Sequence, residues 1–150
     1  MKKILGIPLL LCAAWLIGQD DRALLEKTKL AVFDKEWQAA EDEIPIMREV
    51  LSNQCAEELK RIARASQAIG ESFVMDNQGA LVGSNNLTSD YWQGDEAKWQ
   101  NSYNRAKGGI DIGEPKFDKS SNKVLRQVSL PVVDSAGTII GAVTYGTSAD

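Results

Sequence analysis

The sequence predicts an α+β domain in which a long helical region precedes an antiparallel β-sheet. Between residues 30 and 51, apolar side chains recur at spacings of three and four, which places them on one side of a helix. After Gly70 the apolar residues instead form short runs typical of β-strands. Two segments of the form Asp-x-x-Gly, at residues 76–79 and 134–137, are typical of the turns that connect adjacent antiparallel strands.

The helical region is predicted to cover residues 19–70. Its apolar stripe consists of Leu30, Phe33, Trp37, Ala40, Ile44, Met47 and Leu51, followed by Cys55, Leu59 and Ile62. Pro45 falls inside the stripe, so it must either kink the helix or begin a second one. Gly70 is expected to end the region as a C-cap residue. The stripe is interpreted as core packing, and its spacing would also suit the seam of a homodimer.

Residues 71–150 are predicted to form a sheet that makes one domain with the helix. Five strands are expected, at residues 72–75, 80–83, 110–114, 124–133 and 139–143. A short helix is expected between the second and third strands, from near Asp95 to about Arg105. Asp90 is expected to cap a helical turn there, with Gln93 as its capping-box partner.

The first eighteen residues have the pattern of a secretory signal peptide. A basic start, Met1-Lys2-Lys3, precedes an apolar stretch at residues 4–11 and small residues up to Gly18. We expect cleavage after Gly18, with Ala14 as the other candidate, and therefore a periplasmic protein. The alternative is an uncleaved segment that anchors the protein at its N-terminus.

Composition excludes several functional classes. Loss of Lys2 and Lys3 would change the formal net charge from −4 to −6, and an acidic chain is a poor nucleic-acid binder. The sequence has no histidine, and Cys55 would be the single cysteine left after cleavage, so we expect no disulfide, no cofactor and no His/Cys metal site. We also expect no enzyme, since only a carboxylate pair such as Asp90 and Asp95 remains for acid–base chemistry. A calcium site made of oxygen ligands stays open, without EF-hand spacing to support it.

Residues 85–99 form the first candidate ligand site, because they combine aromatic and acidic side chains between two predicted hairpins. Tyr91, Trp92 and Asp95 could hold an amine through cation–π and ion-pair contacts. Trp99 continues the aromatic stripe, which could instead pin the short helix to the sheet. Glu96 could equally be a solvated charge.

Three further candidates lie on the last two predicted strands. Arg126 stands among valines in a central strand, so if buried it needs a carboxylate partner, either internal or on a ligand. Ser129 lies on the opposite side of the same strand. Tyr145 could donate a hydrogen bond into the same space, with core packing as the alternative.

Two sequence runs are similar to a known family. Residues 131–141 read Pro-Val-x-Asp-x-x-Gly-x-Ile-Ile-Gly, and residues 89–96 read Ser-Asp-Tyr-Trp-Gln-Gly-Asp-Glu. With the order of elements, they resemble the single Cache domains, the extracytoplasmic PAS-like (PDC) sensor modules of bacterial receptors. The resemblance implies a five-stranded antiparallel sheet backed by the long helix, with a small-molecule pocket under the loop and short helix on the other face. Typical members continue into a transmembrane helix and a chemoreceptor or kinase, whereas this sequence shows no second hydrophobic span after Gly146, so we expect a freestanding form here.

Two functions follow from these observations. The first is an exported sensor domain that binds an organic acid or an amino-acid-like or amine-like metabolite and signals to a separate membrane receptor or kinase. The second is a periplasmic interaction or dimerisation protein without a ligand, which would use the helical stripe as its contact surface.

Overall fold

Three helices precede the sheet in the computed structural model, which describes residues 19–118 and 122–148. They are α1 (Gln19–Ala39), α2 (Pro45–Ser52) and α3 (Gln54–Ala65). Pro45 is the first residue of α2, so it begins a second helix rather than kinking a continuous one. None of the described helices combines the length and apolarity needed to cross a bilayer. The predicted signal peptide, residues 1–18, lies outside the described residues.

Two features of the helical region differ from the prediction. A further break separates α2 from α3, because the Asn53 side chain accepts a hydrogen bond from the Ala56 backbone N–H at 2.9 Å and caps a new helix. The assignment of Gly70 as a helix C-cap is wrong. The backbone is already extended at Ser66, and Gly70 lies in the first strand.

The sheet has six described strands rather than five. They are β1 (Ile69–Asp76), β2 (Leu81–Ser84), β3 (Asp111–Ile112), β4 (Lys116–Asp118), β5 (Lys123–Val133) and β6 (Ile139–Ser148). Their order is β2-β1-β6-β5-β3, with β4 also beside β5, and every pairing is antiparallel. The extra strand arises because the predicted third strand is only two residues long and a second short strand follows it. The predicted α+β class is confirmed.

The two Asp-x-x-Gly segments form the predicted hairpin turns. Gly79 and Gly137 both have a φ of +84°, the left-handed conformation that glycine tolerates. In each turn the glycine N–H donates to the aspartate carbonyl, at 3.2 Å to Asp76 and 3.1 Å to Asp134. Each aspartate side chain also accepts two backbone N–H groups within its own turn.

Strand register defines two faces of the sheet. On the first face, Phe73 of β1 pairs with Thr144 of β6, which pairs with Ser129 of β5. Helix α4 (Ala97–Tyr103) packs near this face through Trp99 and Tyr103, beside the core cluster. The second face carries their neighbours along each strand, and α3 packs on it.

Candidate functional site

A cavity of about 480 Å³ lies on the first face of the sheet. Its floor comes from β1 and β5, and its walls come from the loop between β2 and α4, the first residues of α4, and residues 113–117. The residues that line it are Glu71, Phe73, Leu87, Thr88, Ser89, Gln93, Glu96, Lys98, Gly113, Glu114, Lys116, Phe117, Leu125 and Gln127. This volume falls in the range of small-molecule sites.

Lys98 contributes a side chain with little solvent exposure to the cavity wall. Its side chain is only 13% exposed, and its Nζ lies 5.2 Å from the centroid of the Phe73 ring. Within the part of the chain that the structure describes, the one carboxylate within 4.0 Å of that nitrogen is Glu96, at 3.9 Å. Lysine is rarely buried without a close partner. The group is therefore suited to receive a carboxylate from a ligand.

Gln93 contributes a buried acceptor without a partner. The residue is 2% exposed and its Nε2 donates to the Asp90 carbonyl at 2.9 Å. Its Oε1 is buried, and no described residue donates to it. An unsatisfied buried polar atom costs about 1–3 kcal/mol. Gln93 therefore brings an unpaired acceptor to the lining of the cavity.

The floor also holds a fixed carboxylate. Gln127 Nε2 donates to Glu71 Oε1 at 2.7 Å, which ties β5 to β1 across β6. Glu71 lies over Gly146, where an added Cβ would come within 2.9 Å of Oε1. Glycine at this position therefore leaves room for the carboxylate. With Lys98 in the wall, the cavity presents groups of both charge signs.

The aromatic candidates of residues 85–99 have structural partners. Tyr91 is 8% exposed and packs against Phe33 and Trp37, and burial raises the pKa of its hydroxyl, with a smaller contribution from nearby carboxylates. Trp92 Nε1 donates to the Gln78 carbonyl at 2.8 Å. Trp99 Nε1 donates to the Asp76 carbonyl at 2.9 Å, and its ring stacks on Tyr103 at 5.1 Å.

The acidic residues of that stretch also differ from expectation. Asp95 is exposed and is not among the cavity residues. The helix-capping role predicted for Asp90 is wrong, because α4 begins at Ala97 with Glu96 in the N-cap position. Gln93 does contact Asp90, but through the Asp90 backbone carbonyl rather than as a capping-box partner.

Of the three candidates on β5 and β6, Ser129 lies on the first face, whereas Arg126 and Tyr145 lie on the second. Arg126 is exposed, so it does not require the buried partner considered above. Ser129 is fully buried on the first face and its Oγ lies 2.7 Å from Thr144 Oγ1. Tyr145 lies on the second face, opposite Ser72, and burial raises its pKa, with smaller contributions from Cys55 and Glu58 of α3.

None of the seven candidates lines the cavity, and their role in ligand binding stays a prediction. Sequence reasoning missed Lys98, Gln93 and Glu71. A signal existed for two of them: Lys98 directly precedes Trp99 in the predicted short helix, and Glu71 directly precedes an apolar strand. Only the fold shows that these positions converge.

No family model and no curated protein matches this chain. Three solved structures to which it is similar are sensor or ligand-binding domains. The first is that of the Vibrio cholerae histidine kinase DctB, with 15% identity over 85% of this chain and 50% of that chain and a TM-score of 0.46. The second is that of the Campylobacter jejuni chemoreceptor Tlp3 in complex with L-valine, with 14% identity over 85% of this chain and 54% of that chain and a TM-score of 0.48. The third is that of the Pseudomonas aeruginosa amino acid chemoreceptor PctC in complex with GABA, with 13% identity over 94% of this chain and 60% of that chain and a TM-score of 0.49.

By their names, the first is a sensor domain and the other two are ligand-binding domains. The chain spans about half the length of the DctB and Tlp3 domains. At these identities and TM-scores the similarity carries no argument about ligand or mechanism. The functional argument therefore rests on the cavity itself.

Proposed function

We propose that this protein is an exported sensor domain that binds a small metabolite carrying a carboxylate and a hydrogen-bond donor such as an amine. An amino-acid-like molecule meets this description, and an organic acid with a hydroxyl group meets it in part. The bound state is passed to a separate membrane receptor or kinase. Export is inferred from the pattern of residues 1–18.

One observation carries the proposal: the cavity is lined by Lys98, whose side chain is 13% exposed, and by Gln93, whose Oε1 has no donor among the described residues. A ligand carboxylate would pair with Lys98 at short range, because Glu96 lies 3.9 Å away and leaves the ammonium without a close partner. A ligand amine would donate to Gln93 Oε1 and gain attraction from the Glu71 carboxylate on the floor. The ligand carboxylate and the ligand amine would thus each pair with a group of the site that lacks a close partner.

The second candidate function, an interaction protein, is favoured by the exposed apolar residues of α1. Leu24 and Val32 are 62% and 47% exposed, and Leu25 is also exposed. Exposed apolar residues grouped on one helix are a common feature of contact surfaces. This reading predicts association of the protein in solution without any small molecule.

The test is a thermal-shift screen of the full chain with the twenty common L-amino acids, GABA, succinate, malate and putrescine. A compound at a hundred times its dissociation constant stabilises the folded state by about 2.7 kcal/mol. For a chain of this size, that raises the midpoint by roughly 5–10 °C. We expect carboxylate-bearing amines to give the largest shifts and putrescine to give none.

Two variants assign such a shift to the cavity. Lys98→Met keeps an apolar stem beside Phe73 and removes the charge, so the shift given by carboxylate ligands should vanish. Lys107→Met removes an exposed lysine outside the cavity and should leave the shift unchanged. If no compound raises the midpoint, or if Lys98→Met keeps the full shift, the proposed function is wrong.

A further inference from the structure

Helix α1 contacts the loop that walls the cavity through its last two turns. Asp34 Oδ1 accepts hydrogen bonds from the backbone N–H groups of Tyr91, at 3.0 Å, and Trp92, at 2.9 Å. Trp37 Nε1 donates to the Thr88 carbonyl at 2.8 Å. Two aromatic contacts of Tyr91, with Phe33 and Trp37, surround these hydrogen bonds. Side chains of the helix therefore hold the loop through the backbone atoms of the loop.

The residues held in this way belong to the same segment as residues that line the cavity, and Thr88 belongs to both groups. Thr88 and Gln93 line it, whereas Tyr91 and Trp92 stand between them in the chain. The far end of the segment is fixed by a hydrogen bond from Gln93 N to the Gly79 carbonyl, at 2.8 Å. Gln93 carries the unpartnered Oε1, so its position depends on anchors on both sides.

The orientation of the Asp34 carboxylate is fixed by a neighbouring side chain of α1. Gln38 Nε2 donates to Asp34 Oδ2 at 2.8 Å, which leaves Oδ1 facing the two loop N–H groups. Hydrogen bonds to an ionised acceptor are stronger than those between neutral groups. Asp34 is not one of the cavity residues. Any effect of Asp34 on a ligand must therefore pass through the loop.

We propose that Asp34 is a positioning residue for the cavity, and that occupation of the cavity and docking of α1 on the loop are linked. The second half of this proposal rests on the proposed function, whereas the first half does not. Linkage is reciprocal: if the docked helix strengthens ligand binding, the ligand strengthens docking by the same factor. If the contact between Asp34 and the loop had a purely structural role, its loss would lower the stability of the whole domain, and ligand binding would show no such reciprocity.

The first experiment requires no ligand. Hydrogen exchange of the full chain is measured for wild type, Asp34→Ala, Asp34→Asn and the control Glu36→Ala, an exposed neighbour on α1. In Asp34→Ala, the amides of Tyr91 and Trp92 should exchange about tenfold faster or more, since each loses a hydrogen bond to a charged acceptor. Asp34→Asn keeps an acceptor oxygen and should rescue part of the protection.

The amides of β5 and β6 report global stability in the same samples. In wild type they should be more protected than the amides of Tyr91 and Trp92, and Glu36→Ala should leave both groups unchanged. If the Tyr91 and Trp92 amides of wild type are as protected as those of β5 and β6, the loop opens only with the whole fold, and the proposal is overturned. Unchanged exchange at Tyr91 and Trp92 in Asp34→Ala would overturn it as well.

The second experiment uses the compound from the screen that gives the largest midpoint shift. Asp34→Ala should weaken its binding by about tenfold, and Glu36→Ala should not. In wild type the compound should slow exchange at Tyr91 and Trp92. If wild type binds the compound and Asp34→Ala binds it equally well, the linkage is refuted while the proposed function stands. If wild type binds none of the compounds, the proposed function and the linkage both fail, and the exchange data still decide the positioning role.

Discussion

Two hairpin glycines with the same backbone conformation provide a matched pair of perturbations. Gly79 and Gly137 both have a φ of +84° and the same place in an Asp-x-x-Gly turn. At Gly137 an added Cβ would meet no atom within 4 Å. At Gly79 it would lie 2.5 Å from the backbone nitrogen of Gly94, in the cavity loop. Alanine at Gly137 therefore measures the conformational cost alone, and alanine at Gly79 adds a collision between two backbone segments.

The expected magnitudes differ clearly. A left-handed alanine costs about 1–2 kcal/mol, which we expect for Gly137→Ala. Overpacking typically adds about 1–3 kcal/mol, so Gly79→Ala should cost about 2–5 kcal/mol in total. At roughly 2–4 °C per kcal/mol for a chain of this length, the midpoint should fall by about 2–8 °C for Gly137→Ala and by a further several degrees for Gly79→Ala.

Urea denaturation followed by circular dichroism would measure both free energies of unfolding. Gly79→Ala should also weaken ligand binding, because the Gly79 carbonyl accepts the Gln93 N–H and the collision displaces that part of the loop. Gly137→Ala, whose added Cβ meets no atom within 4 Å, should bind normally. Equal losses of stability in the two variants would refute the close approach of Gly79 to Gly94 and the reasoning built on it.

Two further predictions concern backbone strain and pH. Ala106 has a φ of +62°, so Ala106→Gly should raise the free energy of unfolding by about 0.5–1 kcal/mol in the same urea assay; a loss would mean that the residue is not left-handed. Burial raises the pKa values of Cys55 and Tyr145 above their ordinary 9.0 and 10.0. Because the unfolded chain then loses these protons at lower pH than the folded one, their stabilising contribution is complete below pH 9.0 and is lost as the pH rises through the folded-state pKa values. Urea midpoints should therefore fall with rising alkalinity, and Cys55→Ser combined with Tyr145→Phe should flatten that fall; a midpoint that rises with pH would contradict the burial of these groups.

The parts of the fold that depend on neighbouring residues were predictable. The Asp-x-x-Gly turns follow from the chemistry of four consecutive residues, and Pro45 marks the start of α2 for a similarly local reason. The end of α3 was not predictable in this way. Its apolar stripe runs on to Ile62, and the backbone becomes extended at Ser66. Glycine is a common helix C-cap and serine is not, so the sequence favoured Gly70 as the end of the helix.

The cavity was harder to predict than the fold because its residues come from distant segments. Glu71 and Gln127 meet only because β6 brings β1 and β5 to its two sides. Aromatic composition drew attention to Tyr91 and Trp92, but the Trp92 indole N–H donates to a backbone carbonyl and Tyr91 belongs to the core cluster. An aromatic-rich loop can thus be the wall of a site whose contacts come from less conspicuous neighbours such as Lys98.

The central place of β6 in the sheet has a consequence for how the protein is assembled. Among the described strands β6 comes last in the chain, yet it lies between β1 and β5, and its pairing with β1 joins residues far apart in sequence. Contacts of such long range form slowly, since a large loop must close before they form. During synthesis, β1 and β5 would each have one unpaired edge until β6 has been synthesised. The cavity floor, which needs β1 and β5 on the two sides of β6, would then form in a single late step. A chain synthesised only as far as β5 would therefore lack the binding site.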